Sequence, residues 1–360
     1  MKYDLKLFSV LVLTGAICLS AGCGKSGQKF KVPEIKMITS ENVHGVIATD
    51  DDHIWITGKY GIIYHSSDGG ETWEQQDSGV KEGIIVDGTF VDNKTGWVVG
   101  LNGTVLFTDN GGETWTRQET GTKRHLFSIC FVDRLNGWAI GEWNTVIHTA
   151  DGGKTWQRQA EEYDKILNNV FFVDQYKGWI VGERGLIRHT SDGGKTWTEQ
   201  KPEAFVRNSF EEEIRNPAPA LFCVVFTDQN RGFVCGIDGT IGRTENGGKS
   251  WDILDSPTDL TLYTVFIKDN MGWIVGDKGA YLFSSDNGKT WDLKEGVIKT
   301  RFKLRDVFFS SPQKGWIVGA IGTVVHTEDS GMTWEFRSGL SYAMEFFEMP
   351  KVLEFGGGTE

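Results

Sequence analysis

The sequence predicts an all-β fold, a seven-bladed β-propeller of four-stranded antiparallel blades. Three observations carry that expectation. Aromatic residues recur in pairs, the second always 18 residues after the first: Trp55 and Trp73, Trp97 and Trp115, Trp138 and Trp156, Trp179 and Trp197, Phe233 and Trp251, Trp273 and Trp291, Trp316 and Trp334. Successive pairs start 42, 41, 41, 54, 40 and 43 residues apart, and a four-stranded propeller blade takes about 40–50 residues. Thirteen of the 14 Trp fall in these two columns, Trp143 being the exception. Length alone, at 360 residues, would favour about two domains. Seven such units fill residues 44–339 and replace that prior with one repeat domain.

Each unit reads as four short strands, A to D. In the third they are residues 126–132, 137–141, 145–149 and 155–159. Strand A is apolar on both faces, with Phe127, Ile129 and Phe131 beside Cys130 and Val132, as in a strand covered on both sides. Seven residues before each first aromatic lies a third column: Phe90, Phe131, Phe172, Phe226, Phe266 and Phe309, with Ala48 in the first unit. Strand B opens on G-W-x-x-G, as in Gly137-Trp138 and Gly178-Trp179. The C–D turn reads Ser66-Ser67-Asp68-Gly69-Gly70-Glu71-Thr72-Trp73 in the first unit. Its acidic or amide position is Asp68, Asn110, Asp151, Asp192, Asn246, Asp286 and Asp329. A side chain there accepts from backbone N–H groups a few residues on, and Gly supplies positive φ. Asn keeps the acceptor and drops the charge, which suits a structural turn better than a metal or catalytic carboxylate. Trp73, Trp115, Trp156, Trp197, Trp251, Trp291 and Trp334 then anchor strand D by burying a large ring.

The chain begins with Lys2 and Lys6 ahead of an apolar run over residues 7–19. Thirteen residues are too few to span a bilayer, which needs about 20, and they fit the core of a secretory signal. Ser20-Ala21-Gly22-Cys23 follows. Small residues before a Cys resemble the lipobox of bacterial lipoproteins, which implies that residues 1–22 are removed and that Cys23 is lipidated. The resemblance departs in one place: Leu19 lies four residues before the Cys instead of three, and ordinary signal cleavage near Ala21 is the competing reading. Gly24 after the Cys implies the outer membrane in a Gram-negative host. Residues 23–43 read as a tether, with an added strand through residues 30–38 as the alternative. The apolar tail of residues 340–360 reads as a segment that could complete a sheet edge.

Composition excludes several functions. The formal net charge is −12, and it stands near −13 once residues 1–22, with Lys2, Lys6 and Asp4, are removed. Nucleic-acid binding needs a basic face to neutralise phosphates. Five Cys exclude a disulfide-dense scaffold. No G-x-S-x-G, H-E-x-x-H, Walker loop or C-x-x-C is present, and no catalytic residue, metal ligand or cofactor is assigned. His65, His148, His189 and His326 share one position in strand C, on different blades, and read as packing residues. Cys223 and Cys235 fall in strands A and B of one blade, either buried as thiols or bridged. Asp87 and Asp306, both expected near the axial end of strand A, are a carboxylate pair that leaves a glycosidase reading open.

The C–D turns are similar to the Asp-box, or bacterial neuraminidase repeat. Together with G-W-x-x-G and with Phe131-Val132-Asp133 and Phe172-Val173-Asp174, residues 44–339 resemble the photosystem II stability and assembly factor family. That resemblance implies a non-catalytic seven-bladed propeller that helps build a membrane protein complex. Photosynthetic members are associated with a surface arginine patch, whereas the Arg residues here are scattered through an acidic chain. Function is expected where the repeats differ. The B–C turns keep a fixed frame and change their centres: Lys59-Tyr60, Glu142-Trp143 and Glu183-Arg184. The long fourth step places about 13 extra residues within residues 201–220, including Phe205 and Phe210. D–A loops and B–C turns share one face of a propeller, so these residues predict a protein-binding surface. The resulting expectation is a lipid-anchored scaffold in the cell envelope, held to the membrane through its N-terminal lipid, with a membrane protein complex as partner and no nucleic acid. An Asp-box glycan-binding protein or glycoside hydrolase, and an accessory protein of an envelope transport complex, are the alternatives.

Overall fold

Seven four-stranded antiparallel sheets, each built from consecutive strands, make up the ring. The structure is a computed structural model that describes residues 38–160, 163–206 and 217–338. Blade 1 comprises β1 (Val43–Ala48), β2 (Ile54–Gly58), β3 (Ile63–Ser66) and β4 (Glu74–Gln76). The innermost strands of blades 2 to 7 are β5 (Ile85–Phe90), β9 (Leu126–Phe131), β13 (Leu167–Phe172), β17 (Leu221–Phe226), β21 (Leu262–Lys268) and β25 (Leu304–Phe309). Their strand-B partners are β6 (Gly96–Gly100), β10 (Gly137–Gly141), β14 (Gly178–Gly182), β18 (Gly232–Gly236), β22 (Met271–Gly276) and β26 (Gly315–Gly319). The last blade ends on β28 (Glu335–Ser338). Among the described residues no helix is long and apolar enough to cross a membrane.

The repeated aromatics join blades more than they fill them. Trp97 of blade 2 stacks on Phe131 of blade 3 at 3.6 Å between centroids, and Phe131 meets the edge of Trp156 of its own blade at 5.9 Å. The same sandwich recurs with Trp138, Phe172 and Trp197, and with Trp179, Phe226 and Trp251. Each such pair adds about 0.5–1.5 kcal/mol beyond its burial. The first Gly of G-W-x-x-G makes room for the ring: a Cβ at Gly137 would overlap Phe131. The indole N–H then reaches across the blade junction. Trp55 Nε1 donates to Gly111 O at 3.0 Å, Trp97 Nε1 to Gly152 O at 3.2 Å, and Trp138 Nε1 to Gly193 O at 3.0 Å. All three acceptors lie in the C–D turn of the following blade. Gln76, Gln118, Gln159 and Gln200 donate to the same set of carbonyls, at Gly111, Gly152, Gly193 and Gly247.

Inside the turn, Asp192 accepts from Thr196 N at 2.9 Å and Thr196 Oγ1 at 2.6 Å, while Thr190 Oγ1 donates to Asp192 and accepts from Gly194 N at 2.9 Å. Asn110 and Asn246 accept from the corresponding backbone N–H but reverse the side-chain bond, donating from Nδ2 to Thr114 Oγ1 and Ser250 Oγ.

Blade 6 departs from the expected third column. Its A–B connection is one residue shorter, turning at Asp269 and Asn270, both with positive φ. Ile267 consequently pairs with Gly272 and takes the place held by Phe131 opposite Gly137 in blade 3, while Phe266 moves opposite Trp273.

Among the described residues the ring closes without a shared sheet. Blade 7 supplies all four of its strands from one stretch of chain. Trp316 packs in one cluster with Val46, Ala48 and Ile54 of blade 1, with Ala48 standing where five other blades have Phe. Trp316 Nε1 has no partner. Other contacts hold this seam: Gly322 N to Glu41 O at 2.8 Å, Ile38 N to Ser338 Oγ at 3.0 Å, and Arg337 to Glu71 at 2.8 Å. Residues 38–43 thus belong to the ring, which shortens the tether expected over residues 23–43. The segments 1–22 and 340–360 and Cys23 lie outside the described residues.

Candidate functional site

The B–C turns and the D–A loops do form one face. Tyr60 N donates to Gly83 O at 2.7 Å, Glu142 N to His125 O at 3.1 Å and Gly185 N to Pro219 O at 2.7 Å. The opposite face carries the A–B loops and Asp-box turns, joined by bonds such as Gly152 N to Leu135 O at 3.0 Å.

At the centre of each B–C turn sits a non-Gly residue with φ between 53° and 60°: Tyr60, Asn102, Trp143, Arg184, Asp238, Lys278 and Ile321. Two successive positive-φ residues make a type I′ turn, and its first central position carries the repeat's variable side chain outward. Tyr60 and Trp143 are 52% and 40% exposed, and Arg184 is exposed. A β-branched residue such as Ile321 is a genuine outlier there. Strain of this kind concentrates at working surfaces. Glu142 accepts from His125 N at 2.9 Å, and the Arg124 guanidinium lies 4.6 Å from the Trp143 ring. Lys59 covers Tyr60 at 4.4 Å. Glu183 is half-buried beside Arg184.

The sequence reading puts Phe205 on this surface, and the structure places it inside. It is 3% exposed, in the cluster with Trp179 and Ala218, and a Cβ on Gly185 would approach its ring within 2.9 Å. The inserted loop places this ring under the Arg184 turn, where Val80 lies beneath the Gly61 turn in blade 1. Phe210 lies outside the described residues.

The same face holds a feature that the sequence pattern does not announce. In all seven blades strand A carries a β-bulge at its second residue, which has no partner on strand B. A bulge re-aims the extra side chain. Here the bulged residues are His44, Val86, Phe127, Asn168, Phe222, Tyr263 and Arg305, and all seven line one axial cavity of about 260 Å³. This ring does not repeat in chemistry.

In five blades the residue after the bulge turns toward the next blade and satisfies a backbone group on the inner edge of its strand A; in blade 1 that residue is Gly45. Asp87 Oδ2 accepts from Ile129 N at 3.0 Å, Asn169 Oδ1 from Val224 N at 3.0 Å and Asp306 Oδ2 from Val46 N at 2.9 Å. Ser128 accepts from Val170 N at 3.3 Å, and Thr264 Oγ1 donates to Arg305 O at 2.9 Å. Asp87 and Asp306, the candidate hydrolytic pair, are therefore blade-to-blade connectors. Both residues are partly exposed to the pore, yet protein surrounds their carboxyl groups. Burial pushes Asp87 up to about 6 and Asp306 up to about 7, against the opposing backbone hydrogen bonds. Burial first, and the Arg305 charge second, bring His44 down to about 4, so it is neutral at pH 7.

The strand-C histidines are packing residues. His65 stacks on Trp55 at 4.4 Å, and His326 on Trp316 at 4.9 Å. Burial lowers His65 to about 4. Among the described residues no cluster could hold a metal ion. Cys223 and Cys235 face each other across β17 and β18 as free, buried thiols.

The sequence matches the family described as "Photosynthesis system II assembly factor YCF48" over residues 77–161, 115–206 and 203–295. The chain belongs to that family. Comparison with the curated proteins found no match. Among solved structures, YCF48 bound to D1 peptide superposes with a TM-score of 0.67 at 22% identity, covering 82% of this chain and 95% of that one. YCF48 from Cyanidioschyzon merolae gives 0.67 at 20% identity, covering 82% and 98%. A GH74 xyloglucanase from Xanthomonas campestris gives 0.66 at 11% identity, covering 85% of this chain and 56% of the enzyme. At these identities the superpositions report the shared propeller fold, while the sequence match places the chain among the YCF48 assembly factors.

Proposed function

We propose that the protein is a non-catalytic, lipid-anchored scaffold of the cell envelope that holds a segment of a membrane protein while its complex is assembled. Family membership supports the assembly role, and the YCF48 structure with a D1 peptide supports a polypeptide segment as the ligand class. The observation that carries the reading is the set of seven type I′ turns presenting variable, exposed side chains around one face. Residues Cys23 and Gly24 supply the anchoring signal.

The test is crosslinking in whole membranes from a photoreactive group placed in the B–C turn of blade 3, followed by identification of the adducts. A defined integral membrane protein is expected, with its yield falling when Trp143→Ala and Arg184→Ala are combined. Adducts unchanged by that pair, or confined to soluble proteins, would remove the proposal. A glycan-binding or hydrolytic reading draws on the xyloglucanase likeness alone, and both axial carboxylates already bind backbone donors. A fluorogenic glycoside panel is expected to stay blank.

A further inference from the structure

We infer that the axial cavity is a binding site for an organic carboxylate carrying an apolar or aromatic body, with Arg305 as its anchor. The inference concerns the centre of the proposed partner-binding face and rests on that reading only for the carboxylate's polypeptide source.

Four observations lead there. Arg305 is ejected into the cavity by the β25 bulge. Its Nε is buried without a hydrogen-bond partner, and among the described residues no carboxylate lies within ion-pair distance of its guanidinium. A buried guanidinium N–H left in this way is costly unless something supplies the missing acceptor, and the rest of the half-buried side chain faces the cavity. The nearby acids are already engaged. Asp277 bonds Lys303 at 3.2 Å and Tyr263 Oη at 3.0 Å, and Asp306 binds Val46 N and Val307 N. His44, held neutral, stands beside Arg305 as a further hydrogen-bonding group. Phe127, Phe222 and Tyr263 line the same cavity from blades 3, 5 and 6, with Phe222 and Tyr263 rings 5.5 Å apart. A planar guanidinium in a cavity that also holds aromatic rings suits a carboxylate on an apolar stem: the fork takes two oxygens and the rings take the stem. A cavity of about 260 Å³ fits one such group rather than a folded domain.

The experiment titrates the full chain with 3-phenylpropionate, its primary amide, and the dipeptide N-acetyl-Leu-Phe, followed by ligand-observed NMR and calorimetry. Both acids are expected to bind, with the amide at least about tenfold weaker, a difference of about 1.4 kcal/mol, because an ionised acceptor strengthens the guanidinium hydrogen bonds. Arg305→Gln should abolish the preference for acid over amide. Arg305→Lys, which keeps charge and stem, should retain part of it and serves as the folded comparison if the Gln variant melts early. Phe222→Ala should weaken acid and amide alike. Tighter binding of the dipeptide than of phenylpropionate assigns the carboxylate to a polypeptide, and the reverse order assigns it to a free acid. Equal binding of acid and amide, no binding of either at millimolar concentration, or an acid preference that survives Arg305→Gln overturns the inference. Membrane crosslinking from the Trp143 turn reads the broader proposal separately, so one can fail without the other.

Discussion

Replacing Asp306 with Asn should change the pH dependence of stability in a specified direction. Asp306 lies on the axial belt, with its carboxyl accepting from Val46 N and Val307 N, and burial raises it to about 7. A carboxyl raised on folding binds more protons in the native chain than in the unfolded one across the window from about 4 to 7. Its contribution to stability therefore declines as pH rises through that window. The full displacement corresponds to about 4 kcal/mol, and roughly a third of it is already lost at pH 5. Pore water screens part of the remainder, which leaves about 2 kcal/mol of expected swing between pH 5 and pH 8. An amide does not titrate. It is compatible with the position, because Asn169 occupies the equivalent place in blade 4 and accepts from Val224 N. Loss of one acceptor costs the Asp306→Asn variant about 1 kcal/mol at every pH. His44 and His65, lowered by burial, act in the opposite sense between about 4 and 6.5, but they contribute equally to both proteins and cancel in the difference. Urea unfolding followed by Trp fluorescence should show Asp306→Asn less stable than the parent at pH 5 and more stable at pH 8. A stability difference that stays constant across this range would refute the account of the belt.

Other substitutions test other parts of the fold. Trp138→Ala removes the stack on Phe172 and the bond to Gly193 O, and should cost about 3–5 kcal/mol by denaturant midpoint; Trp138→Phe should recover much of this but not the hydrogen bond. Gly141→Ala would drive a Cβ into His125 O, so the variant should accumulate as insoluble protein while the parent stays soluble. Asp192→Ala should destabilise by about 1–2 kcal/mol, with Asp192→Asn close to the parent as Asn110 and Asn246 imply. Cys23→Ser should move the protein from the membrane pellet to the soluble fraction after cell lysis if Cys23 carries the anchor.

The propeller was legible because its joints need particular residues at particular places. An indole that must reach the next blade's turn, and a Gly that must clear a Phe ring, leave a periodic trace. Where geometry can be met by different residues the trace fails. Blade 6 shows this, since a shorter A–B turn lets Ile267 replace the expected Phe266. The axial ring shows it more strongly. Its bulges come from pairing between strands A and B, and the ejected residues, from His44 through Asn168 to Arg305, share no chemistry that could mark them as a column. The signal lay instead in the residues that follow, where Asp87, Ser128, Asn169, Thr264 and Asp306 put polar groups in otherwise apolar strands. Phe205 illustrates the opposite error: its place in an insertion suggested exposure, but the ring packs beside Gly185 with Trp179 and Ala218.

Among the described residues the joint at Trp316 and Ala48 lacks both the stack and the indole bond found at most other joints, and no strand crosses it. The described circle is thus shut by loops and side chains alone, and each sheet comes from one uninterrupted run of sequence. Such an object resembles beads clasped into a bracelet. The clasp could be moved: a permuted gene opening in the Lys123–Arg124 loop, with the original ends linked, would still encode seven intact sheets.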